Sequence, residues 1–387
     1  MVLTSSLRDV TKYNMPSVAG GASCSSLAAR TLGDPGGNRT GSGGSTLICA
    51  IIGTVNYSLT EHAPLAARNT LRVPAMARWL AEVRDAESLG ELLARPEAQG
   101  PVLVLGEGSN LLLTRDFDGL VIHIDQRGIE ILADGSLRVG AGENWHALVR
   151  WTLGRGYCGF ENLALIPGTV GAAPVQNIGA YGTELDEFVV AVHAWDRDRG
   201  APVVIGREAC GFAYRDSVFK RQPERWVVTH VEFNLPTQRP LVLDYAGVRE
   251  ELAALGCETP THTDVASAVE RLRRRKLPDP AQIGNAGSFF KNPVVTRAVA
   301  EMLARQYPEM PRWASGHAAK LSAAWLLEQC GFKGYRDGDA GFSARHALVL
   351  VNHGGASGAA LWALAQRAQA EVEHKFGVRL EPEPRVL

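Results

Sequence analysis

The sequence predicts a protein of mixed helices and strands that is divided into two or three domains. The chain has 387 residues, of which 45% are hydrophobic and 21% charged, and this is enough apolar material for more than one core. Short strand patterns separated by Gly and Asp turns dominate up to Pro236, and helical patterns dominate after Pro280. We therefore expect the C-terminal third to form an α/β module of its own.

The first 55 residues are expected to be disordered. Gly, Ser and Thr make up 21 of the first 50 residues, a composition that cannot bury enough apolar area to offset the entropy lost on ordering. One hypothesis is that this segment is an upstream extension of the reading frame, which the intact mass of the native protein would test.

From residue 69 onwards the pattern predicts regular structure. Residues 77–83 alternate as a strand does, 86–95 have helical spacing, and 101–105 form an apolar run typical of a buried strand, which together predict a β-α-β unit. Further strands are predicted at 120–124, 129–132, 137–139, 189–195, 226–233 and 347–351. Further helices are predicted at 145–155, 263–275, 295–306, 322–330 and 361–376.

Composition and charge exclude several classes of protein. Forty Lys and Arg against 41 Asp and Glu give a net charge of −1, so there is no electrostatic case for binding nucleic acid or an anionic membrane. The apolar stretches, such as 47–52, are far shorter than the roughly 20 residues of a membrane span, and no secretory signal pattern is present. We expect a cytoplasmic protein without a membrane or nucleic-acid partner.

Neither a disulfide framework nor a metal site is expected. The six cysteines are scattered without a C-x-x-C pair, and the ten histidines show no ligand spacing with Asp or Glu.

The motif Gly106-Glu-Gly-Ser-Asn110 directly follows a predicted buried strand. Consecutive small residues let backbone N–H groups converge on a phosphate, and Ser109 and Asn110 can add side-chain donors. A Rossmann fingerprint would need a third Gly where Leu111 stands, so a Rossmann-type nicotinamide site is disfavoured. Two interpretations stay open, a tight β-turn or a phosphate-binding loop. In the second, a side chain at Gly108 would prevent the close approach of a diphosphate.

A second segment, residues 165–182, consists almost wholly of small residues. Its glycines and prolines fix an irregular backbone that suits a flat ligand lying against the main chain, with side-chain amides reading the polar edge of that ligand. A structural loop is the alternative, although so long a segment without helix or strand signal is unusual in a compact domain unless it is functional. The candidate binding residues are Pro167, Gly168, Gly171, Gln176, Asn177, Ile178, Gly179 and Gly182.

Three shorter clusters carry polar residues, at 214–220, 284–293 and 380–385. Taken singly, each has a structural explanation: Arg215 can pair with its neighbour Asp216, Ser288 can cap a turn, and Glu383 can be a solvated carboxylate. Ser288 lacks a G-x-S-x-G context, so a hydrolase nucleophile is not indicated. Lysine is rare, with seven among 40 basic residues, and three of the seven lie in the motifs, namely Lys220, Lys276 and Lys291.

The order of these motifs resembles the UDP-N-acetylenolpyruvoylglucosamine reductase (MurB) family. Over about residues 65–387 the series runs G-E-G-S-N-L, I-P-G-x-x-G-A-x-P-x-Q-N-I-G-A-Y-G, C-G-F-x-Y-R-D-S-x-F-K, K-L-P-D-P with G-N-A-G-S-F-F-K-N-P, and L-E-P-E-x-R. The resemblance implies an α+β fold, with a two-subdomain FAD-binding fold of the vanillyl-alcohol-oxidase type and a C-terminal α/β substrate-binding domain. The implied division is 56–125 with 378–387 for the first FAD subdomain, 126–277 for the second, and 278–377 for the substrate domain.

The resemblance also implies the cofactors, FAD and NADPH, and the reaction. NADPH would reduce FAD and leave, and UDP-N-acetylglucosamine enolpyruvate would then take hydride at C3 from flavin N5 and a proton at C2, giving UDP-N-acetylmuramate for peptidoglycan synthesis. Such a protein would serve cell-wall biogenesis, cell shape and cell division. By motif, Arg215 matches the active-site arginine, Ser288 the proton donor and Glu383 the active-site glutamate. The two Gly-rich segments match the FAD-binding loops, and the matches to substrate-binding positions are Tyr245, Lys276, Asn292 and His346.

The chemistry of this reaction accounts for these residue types. Hydride addition at C3 leaves negative charge at C2 and its carboxylate, so a fixed cation, Arg215, and a second donor, Glu383, have to face it. Serine is a weak acid, so Ser288 can protonate only a strongly basic, carbanion-like centre. A point charge at Lys276 and a neutral donor at Asn292 suit a diphosphate.

Two alternatives are an FAD-linked oxidase of the same superfamily with another substrate, and a non-catalytic FAD-binding scaffold. The C-terminal motifs disfavour the oxidase. The presence of Arg215, Ser288 and Glu383 together disfavours the scaffold, because binding alone needs none of them. The sequence does not determine the oligomeric state, although a monomer is favoured.

Overall fold

The computed structural model describes residues 56–387, so our expectations for residues 1–55 lie outside the described part. Within 56–387 there are eight α-helices and twenty strands. The helices are α1 (Leu89–Ala94), α2 (Trp145–Leu153), α3 (Val218–Arg221), α4 (Val248–Ala254), α5 (His262–Lys276), α6 (Arg297–Gln306), α7 (Ala323–Gln329) and α8 (Gly358–Phe376). The strands are β1 (Tyr57–Pro64), β2 (Met76–Val83), β3 (Val102–Leu105), β4 (Leu111–Leu112), β5 (Phe117–Ile124), β6 (Ile129–Ile131), β7 (Leu137–Gly140), β8 (Gly179–Ala180), β9 (Thr183–Glu184), β10 (Val189–Asp196), β11 (Ala201–Gly206), β12 (Trp226–Phe233), β13 (Gly284–Ser288), β14 (Val294–Thr296), β15 (Arg312–Ser315), β16 (Ala318–Leu321), β17 (Arg336–Asp337), β18 (Ala340–Phe342), β19 (Val349–Asn352) and β20 (Arg385–Val386).

The first sheet has the strand order β1-β2-β5-β3. Strands β2 and β3 both run parallel to β5, which lies between them, so Ile122 of β5 is paired with Ala81 on one side and Val104 on the other. The predicted β-α-β unit is present, with β5 inserted between its two strands. Strand β1 is antiparallel to β2 at the sheet edge and was not predicted, because most of its side chains are partly or fully exposed and show no alternation.

The second sheet, β11-β10-β12-β7-β6, is antiparallel throughout, and two helices that share its core, α2 and α5, begin at side-chain caps. At the start of α5, Thr261 and Asp264 form a capping box in which each side chain accepts the other's backbone N–H. The side chain of Asn144 caps α2 by accepting the N–H of Ala147. The predictions of helices at 145–155 and 263–275 are confirmed.

The C-terminal third has more strands than the sequence predicted. Helices α7 and α8 confirm the predictions at 322–330 and 361–376, and the predicted strand at 347–351 is present as β19, shifted by two residues at its start. However, β19 belongs to a four-stranded sheet, β13-β19-β18-β17, and this part of the chain also contains a three-stranded sheet, β14-β16-β15. Our expectation of a single strand surrounded by helices was wrong, because strands such as β13 consist of small and polar residues without a period-2 signal.

The first sheet carries an apolar core on each face. Leu120, Ile122 and Ile124 of β5 belong to the core shared with the second sheet, whereas Val121 belongs to the core formed with the C-terminal third. The alternating residues of one strand thus connect the two cores. The first sheet therefore packs against both the second sheet and the C-terminal third.

The end of the chain forms a separate two-stranded sheet with β4. Strand β20 pairs in parallel with β4, and the backbone N–H of Thr114 donates to the carbonyl of Leu387 at 2.6 Å. The segment containing Glu383 is therefore held beside the loop 106–110. No helix in the described part of the chain is long and apolar enough to cross a membrane.

Candidate active site

A cavity of about 500 Å³ lies where the two Gly-rich segments, the 214–220 segment, β13 and the chain end meet. Apolar side chains form part of its wall, including Val104, Ile124, Ile178 and Val228. Six charged residues also line it, and cations outnumber carboxylates by four to two: Arg215, Lys220, Arg273 and Arg385 against Glu107 and Glu383. An excess of positive charge in a partly apolar cavity favours a ligand that combines rings with anionic groups.

Glu107 joins the two Gly-rich segments. One carboxylate oxygen accepts from the side-chain amide of Asn144 at 2.7 Å, and the other accepts from the backbone N–H of Gly168 at 2.9 Å. Sequence reasoning missed this residue because nothing in the G-E-G-S-N motif indicates where its side chain points.

Three glycines of the cavity are required by close contacts within the protein itself. Gly108 has φ +62°, and a Cβ added there would lie 2.2 Å from the carbonyl oxygen of Arg68. A Cβ at Gly106 would lie 2.5 Å from Oγ1 of Thr169, and one at Gly171 2.5 Å from Cβ of Ala141. The close approach of Arg68 is sufficient by itself to exclude a side chain at Gly108, so our expectation that a ligand excludes one stays a prediction.

The polar side chains of the first loop are engaged with the second segment. Ser109 Oγ donates to the carbonyl of Pro167 at 3.3 Å, and Asn110 donates through Nδ2 to Gln176 Oε1 at 2.6 Å. These contacts join the two segments and leave the backbone N–H groups of the first loop as its chief donors towards a ligand.

The second segment is more regular than expected. Residues Val170–Gln176 form a 3₁₀-helix with Pro174 inside it, and β8 and β9 form a short hairpin. The sequence showed no helix or strand pattern here, yet both are present. Gly and Pro lower the helical propensity without preventing a short 3₁₀-helix. Of the candidate residues, Pro167, Gly171, Gln176, Ile178 and Gly179 line the cavity, and Gly168, Asn177 and Gly182 do not.

Asn177 lies directly after the 3₁₀-helix. It is buried with φ +43°, its Nδ2 donates to Glu184 Oε2 at 3.1 Å, and its Oδ1 accepts from the N–H of Asp186 at 3.0 Å. Its amide therefore holds the turn after the 3₁₀-helix and is engaged within the protein, and the expectation that Asn177 binds a ligand stays a prediction.

Arg215, Ser288 and Glu383, which are far apart in sequence, come together in the cavity wall. Arg215 Nε lies 3.1 Å from Glu383 Oε1, and Arg215 Nη2 donates to the carbonyl of Gly179 at 2.6 Å. The backbone N–H of Glu383 donates to the carbonyl of Phe289 at 2.8 Å, which places Glu383 next to Ser288. Glu383 is thus an acceptor for Arg215 in this arrangement, where we had expected a second donor.

Lys220 also lines the cavity and was not among our candidate site residues. Burial lowers the pKa of its ammonium group, and the positive charge of Lys291 acts in the same direction. The signal that could have found it is the rarity of lysine in this chain.

Arg273 is a further cavity residue that sequence reasoning missed. Its Nε donates to the carbonyl of Leu165 at 3.1 Å, and burial lowers the pKa of its guanidinium. No carboxylate of residues 56–387 forms an ion pair with it, whereas Glu251 pairs with Arg271 and Arg275 on the same helix. A cation placed in this way needs an anionic ligand to offset its desolvation.

The four candidate substrate-binding residues lie outside the lining of this cavity. Lys276 is exposed at the end of α5. Burial lowers the pKa of the half-buried His346, and the positive charge of Lys276 lowers it further. Asn292 Oδ1 accepts the N–H of Ala323 at the start of α7, at 3.0 Å. Tyr245 is 51% exposed and packs edge-on against Tyr181 at 5.0 Å between ring centroids.

The residues of the cavity fit FAD. The indole N–H of Trp226 is buried in the cavity wall and has no hydrogen-bond partner among the described residues, so a donor remains for a ligand. The mixture of apolar wall and unpaired cations suits a ring system with a diphosphate. In the same range of the chain, no three His, Cys, Asp or Glu side chains meet in a group that could hold a metal ion.

Comparison with known proteins gives consistent matches. Two family models match the chain, "FAD binding domain" over residues 77–206 and "UDP-N-acetylenolpyruvoylglucosamine reductase, C-terminal domain" over residues 279–387. A UDP-N-acetylenolpyruvoylglucosamine reductase of Xanthomonas oryzae pv. oryzae (strain PXO99A) is 53% identical over 340 residues, which cover 86% of this chain and 97% of the relative. The reductase of Xanthomonas axonopodis pv. citri (strain 306) is 53% identical over 338 residues, with 86% and 97% covered. The crystal structure of the reductase (MurB) from Thermus caldophilus aligns with a TM-score of 0.61 at 26% identity and covers 86% of this chain and 99% of that one.

Proposed function

This chain belongs to the UDP-N-acetylenolpyruvoylglucosamine reductase family, and from that premise we propose that Arg215, Ser288 and Glu383 form its catalytic centre. As a family member it is an FAD-dependent oxidoreductase of peptidoglycan precursor synthesis, which uses NADPH to reduce UDP-N-acetylglucosamine enolpyruvate to UDP-N-acetylmuramate. The observation that carries the residue assignment is the 3.1 Å pair of Arg215 and Glu383 in the wall of the cavity that Ser288 also lines.

Bound FAD supplies the hydride, and the side chains of the protein bind, orient and protonate the substrate. Arg215 is suited to hold the enolpyruvyl carboxylate, because its guanidinium is 19% exposed and is already oriented by Gly179 and Glu383. A cation fixed in advance stabilises the negative charge that develops at C2 and the carboxylate without reorganisation during the reaction.

Ser288 is placed to deliver the proton to C2. It is the last residue of β13, and its hydroxyl makes no hydrogen bond to another residue of the described chain, so the O–H is free to point into the cavity. A serine hydroxyl transfers a proton only to a strongly basic atom, and C2 becomes such an atom only once hydride has arrived at C3.

Glu383 is proposed to orient Arg215. Its Oε1 faces the guanidinium, and its backbone is fixed by the hydrogen bond to Phe289. Since that hydrogen bond places Glu383 next to Ser288, the two residues together restrict where the substrate's C2 can lie.

FAD is proposed to lie between the loop 106–110 and the segment 167–182. The backbone N–H groups of the loop 106–110, together with the free indole N–H of Trp226, supply donors along the cavity. NADPH and the sugar nucleotide would then use the remaining part of the cavity in turn.

Lys276 and His346 are proposed to bind the diphosphate of the sugar nucleotide, with Asn292 and Tyr245 nearby. The charge of Lys276 helps to lower the pKa of His346, which supports the two groups lying close enough to share one anionic ligand. Because none of the four lines the main cavity, the sugar nucleotide would extend out of it towards the C-terminal third.

The remaining proposals concern the setting of the enzyme. We propose a cytoplasmic monomer that supports cell shape and cell division through cell-wall synthesis, with residues 56–125 and 378–387 as the first FAD subdomain, 126–277 as the second and 278–377 as the substrate domain. The pairing of β20 with β4 supports assigning the chain end to the first subdomain.

The proposal is tested on the FAD-loaded protein with Ser288→Ala. We expect flavin reduction by NADPH to stay near the parent rate, and flavin reoxidation by the enolpyruvyl substrate to slow by about 10²–10⁴, the usual contribution of general acid catalysis. Stopped-flow absorbance measures each half-reaction, and Ser267→Ala, on the exposed face of α5, is the matched control. Equal slowing of both half-reactions would make Ser288 structural, and flavin turnover without UDP-N-acetylmuramate in the product mass spectrum would favour an oxidase instead.

A further inference from the structure

Arg215 has a backbone conformation that its side chain disfavours. Its φ is +55°, in the left-handed region, where a residue with a Cβ is strained unless its surroundings hold it there. Reciprocal backbone hydrogen bonds between Ala213 and Asp216, at 3.0 and 3.1 Å, close a tight loop around it. The carbonyl of Arg215 lies outside these bonds and needs its own donor.

That donor is Lys220, whose Nζ lies 3.1 Å from the carbonyl oxygen of Arg215. Lys220 belongs to the short helix α3, which Ser217 anchors. The Ser217 hydroxyl accepts the N–H of Lys220 at 3.3 Å and donates to the carbonyl of Val175 at 2.7 Å. The ammonium group is therefore held over Arg215 by a buried contact to the second Gly-rich segment.

Apart from this hydrogen bond, little offsets the desolvation of the Lys220 ammonium group. No carboxylate within residues 56–387 forms an ion pair with it, although Glu383 and Asp216 are near enough to favour its charged form. A half-buried ammonium without a close carboxylate is costly, and its hydrogen bond to the carbonyl of Arg215 is the one side-chain hydrogen bond within residues 56–387 that offsets this cost.

We propose that Lys220 is a positioning residue, which holds the backbone of Arg215 in the left-handed conformation that directs its guanidinium to Glu383 and into the cavity. The inference rests on the proposed function, since it assigns to Lys220 a role that is exerted only through Arg215. Lys220 then affects the enolpyruvyl half-reaction without itself touching the substrate.

The test is a double-mutant cycle on the holoenzyme, with Lys220→Met, Arg215→Met and the double variant. Flavin reoxidation by the enolpyruvyl substrate is followed by stopped-flow absorbance, together with FAD content and thermal unfolding. We expect Lys220→Met to slow reoxidation about tenfold or more, as expected for loss of a charge-assisted hydrogen bond that holds a catalytic group, and Lys220→Arg to restore most of the rate. In the Arg215→Met background the same change should cost less than about twofold, because its target is gone.

The control is Lys375→Met, which removes a lysine that likewise donates to a backbone carbonyl, that of Gln329 at 2.6 Å, away from the cavity. It should leave reoxidation unchanged. If Lys220→Met does not retain FAD, Lys220→Gln, which keeps a donor without the charge, takes its place in the cycle.

The outcomes separate the inference from the proposed function. If Arg215→Met slows reoxidation but Lys220→Met does not, the positioning role is overturned and the role of Arg215 stands. If the two effects multiply in the double variant, Lys220 acts on the substrate directly and the inference is again wrong. If Arg215→Met has no effect, the proposed function itself fails.

Discussion

Gly108→Ala tests whether the first Gly-rich loop is shaped by the protein or by its ligand. In the structure the added methyl group would lie 2.2 Å from the carbonyl oxygen of Arg68 and 2.8 Å from Cα of Asn69, both backbone atoms that cannot rotate away. The loop would have to move, with or without a ligand. We therefore expect the variant to be destabilised even when FAD has been removed.

The magnitude follows from two separate costs. Placing a Cβ in the left-handed region costs roughly 1–2 kcal/mol, and overpacking against fixed backbone costs typically about 1–3 kcal/mol more. Gly200 separates the two, because its φ of +63° nearly equals the +62° of Gly108 and nothing lies within 4 Å of its added Cβ. Gly200→Ala should show only the first cost, and Gly108→Ala the sum, about 2–5 kcal/mol.

Urea unfolding of both variants, with FAD and after its removal, measures these costs. The expected result is that the free energy of unfolding of Gly108→Ala lies at least about 1 kcal/mol below that of Gly200→Ala in both states. If the two variants are equally stable without FAD and differ only with FAD bound, the diphosphate and not Arg68 excludes the side chain. Our reading of this loop would then be wrong.

Three further predictions concern the ligands and the pH response. NADPH and the enolpyruvyl substrate should compete for one cavity, so excess enolpyruvyl substrate should inhibit competitively against NADPH in steady-state kinetics, and purely non-competitive inhibition would contradict a shared site. Arg273→Met removes a half-buried cation without a carboxylate partner in the described chain. It should leave the FAD-free protein as stable as the parent or more stable, while lowering the thermal stabilisation that FAD or the sugar nucleotide provides. Burial lowers the pKa of four histidines, His146, His230, His346 and His353, so the unfolded chain binds more protons than the folded one below about pH 6.5. The free energy of unfolding should therefore fall between pH 7.5 and 6.0 in urea titrations, and a constant or rising value would refute this assignment.

The grouping of the site residues could be predicted from the sequence because motifs in a fixed order report a family. Arg215, Ser288 and Glu383 belong to three motifs that no local pattern connects, yet they line one cavity. What each side chain does within the cavity was less predictable. Asn177 turned out to hold a turn and Glu383 to accept from Arg215, because hydrogen-bond partners depend on tertiary contacts that spacing does not record.

Local and long-range signals contributed differently to the fold. Strands such as β5, whose side chains are nearly all buried or alternate cleanly, were predicted within a few residues. Strand β13 was missed, since Gly284–Ser288 is held by pairing with β19 and by close backbone approach: a Cβ at Gly284 would lie 2.6 Å from the carbonyl of Leu71. Such a strand is specified by its neighbours rather than by its own side chains.

The spacing of the arginines at the basic end of α5 could have identified Arg273 as a cavity residue from the sequence. With about 3.6 residues per turn, Arg271, Arg274 and Arg275 fall on one side of the helix, and Arg273 falls on the opposite side, beside the apolar Leu272. The structure follows this geometry, because Glu251 and Glu270 pair with the three arginines on the outer side, and Arg273 turns into the cavity. Within a charged run, a basic residue at the edge of the apolar helix face therefore differs from its neighbours. Its position predicts an anionic partner, either in the protein or in a ligand.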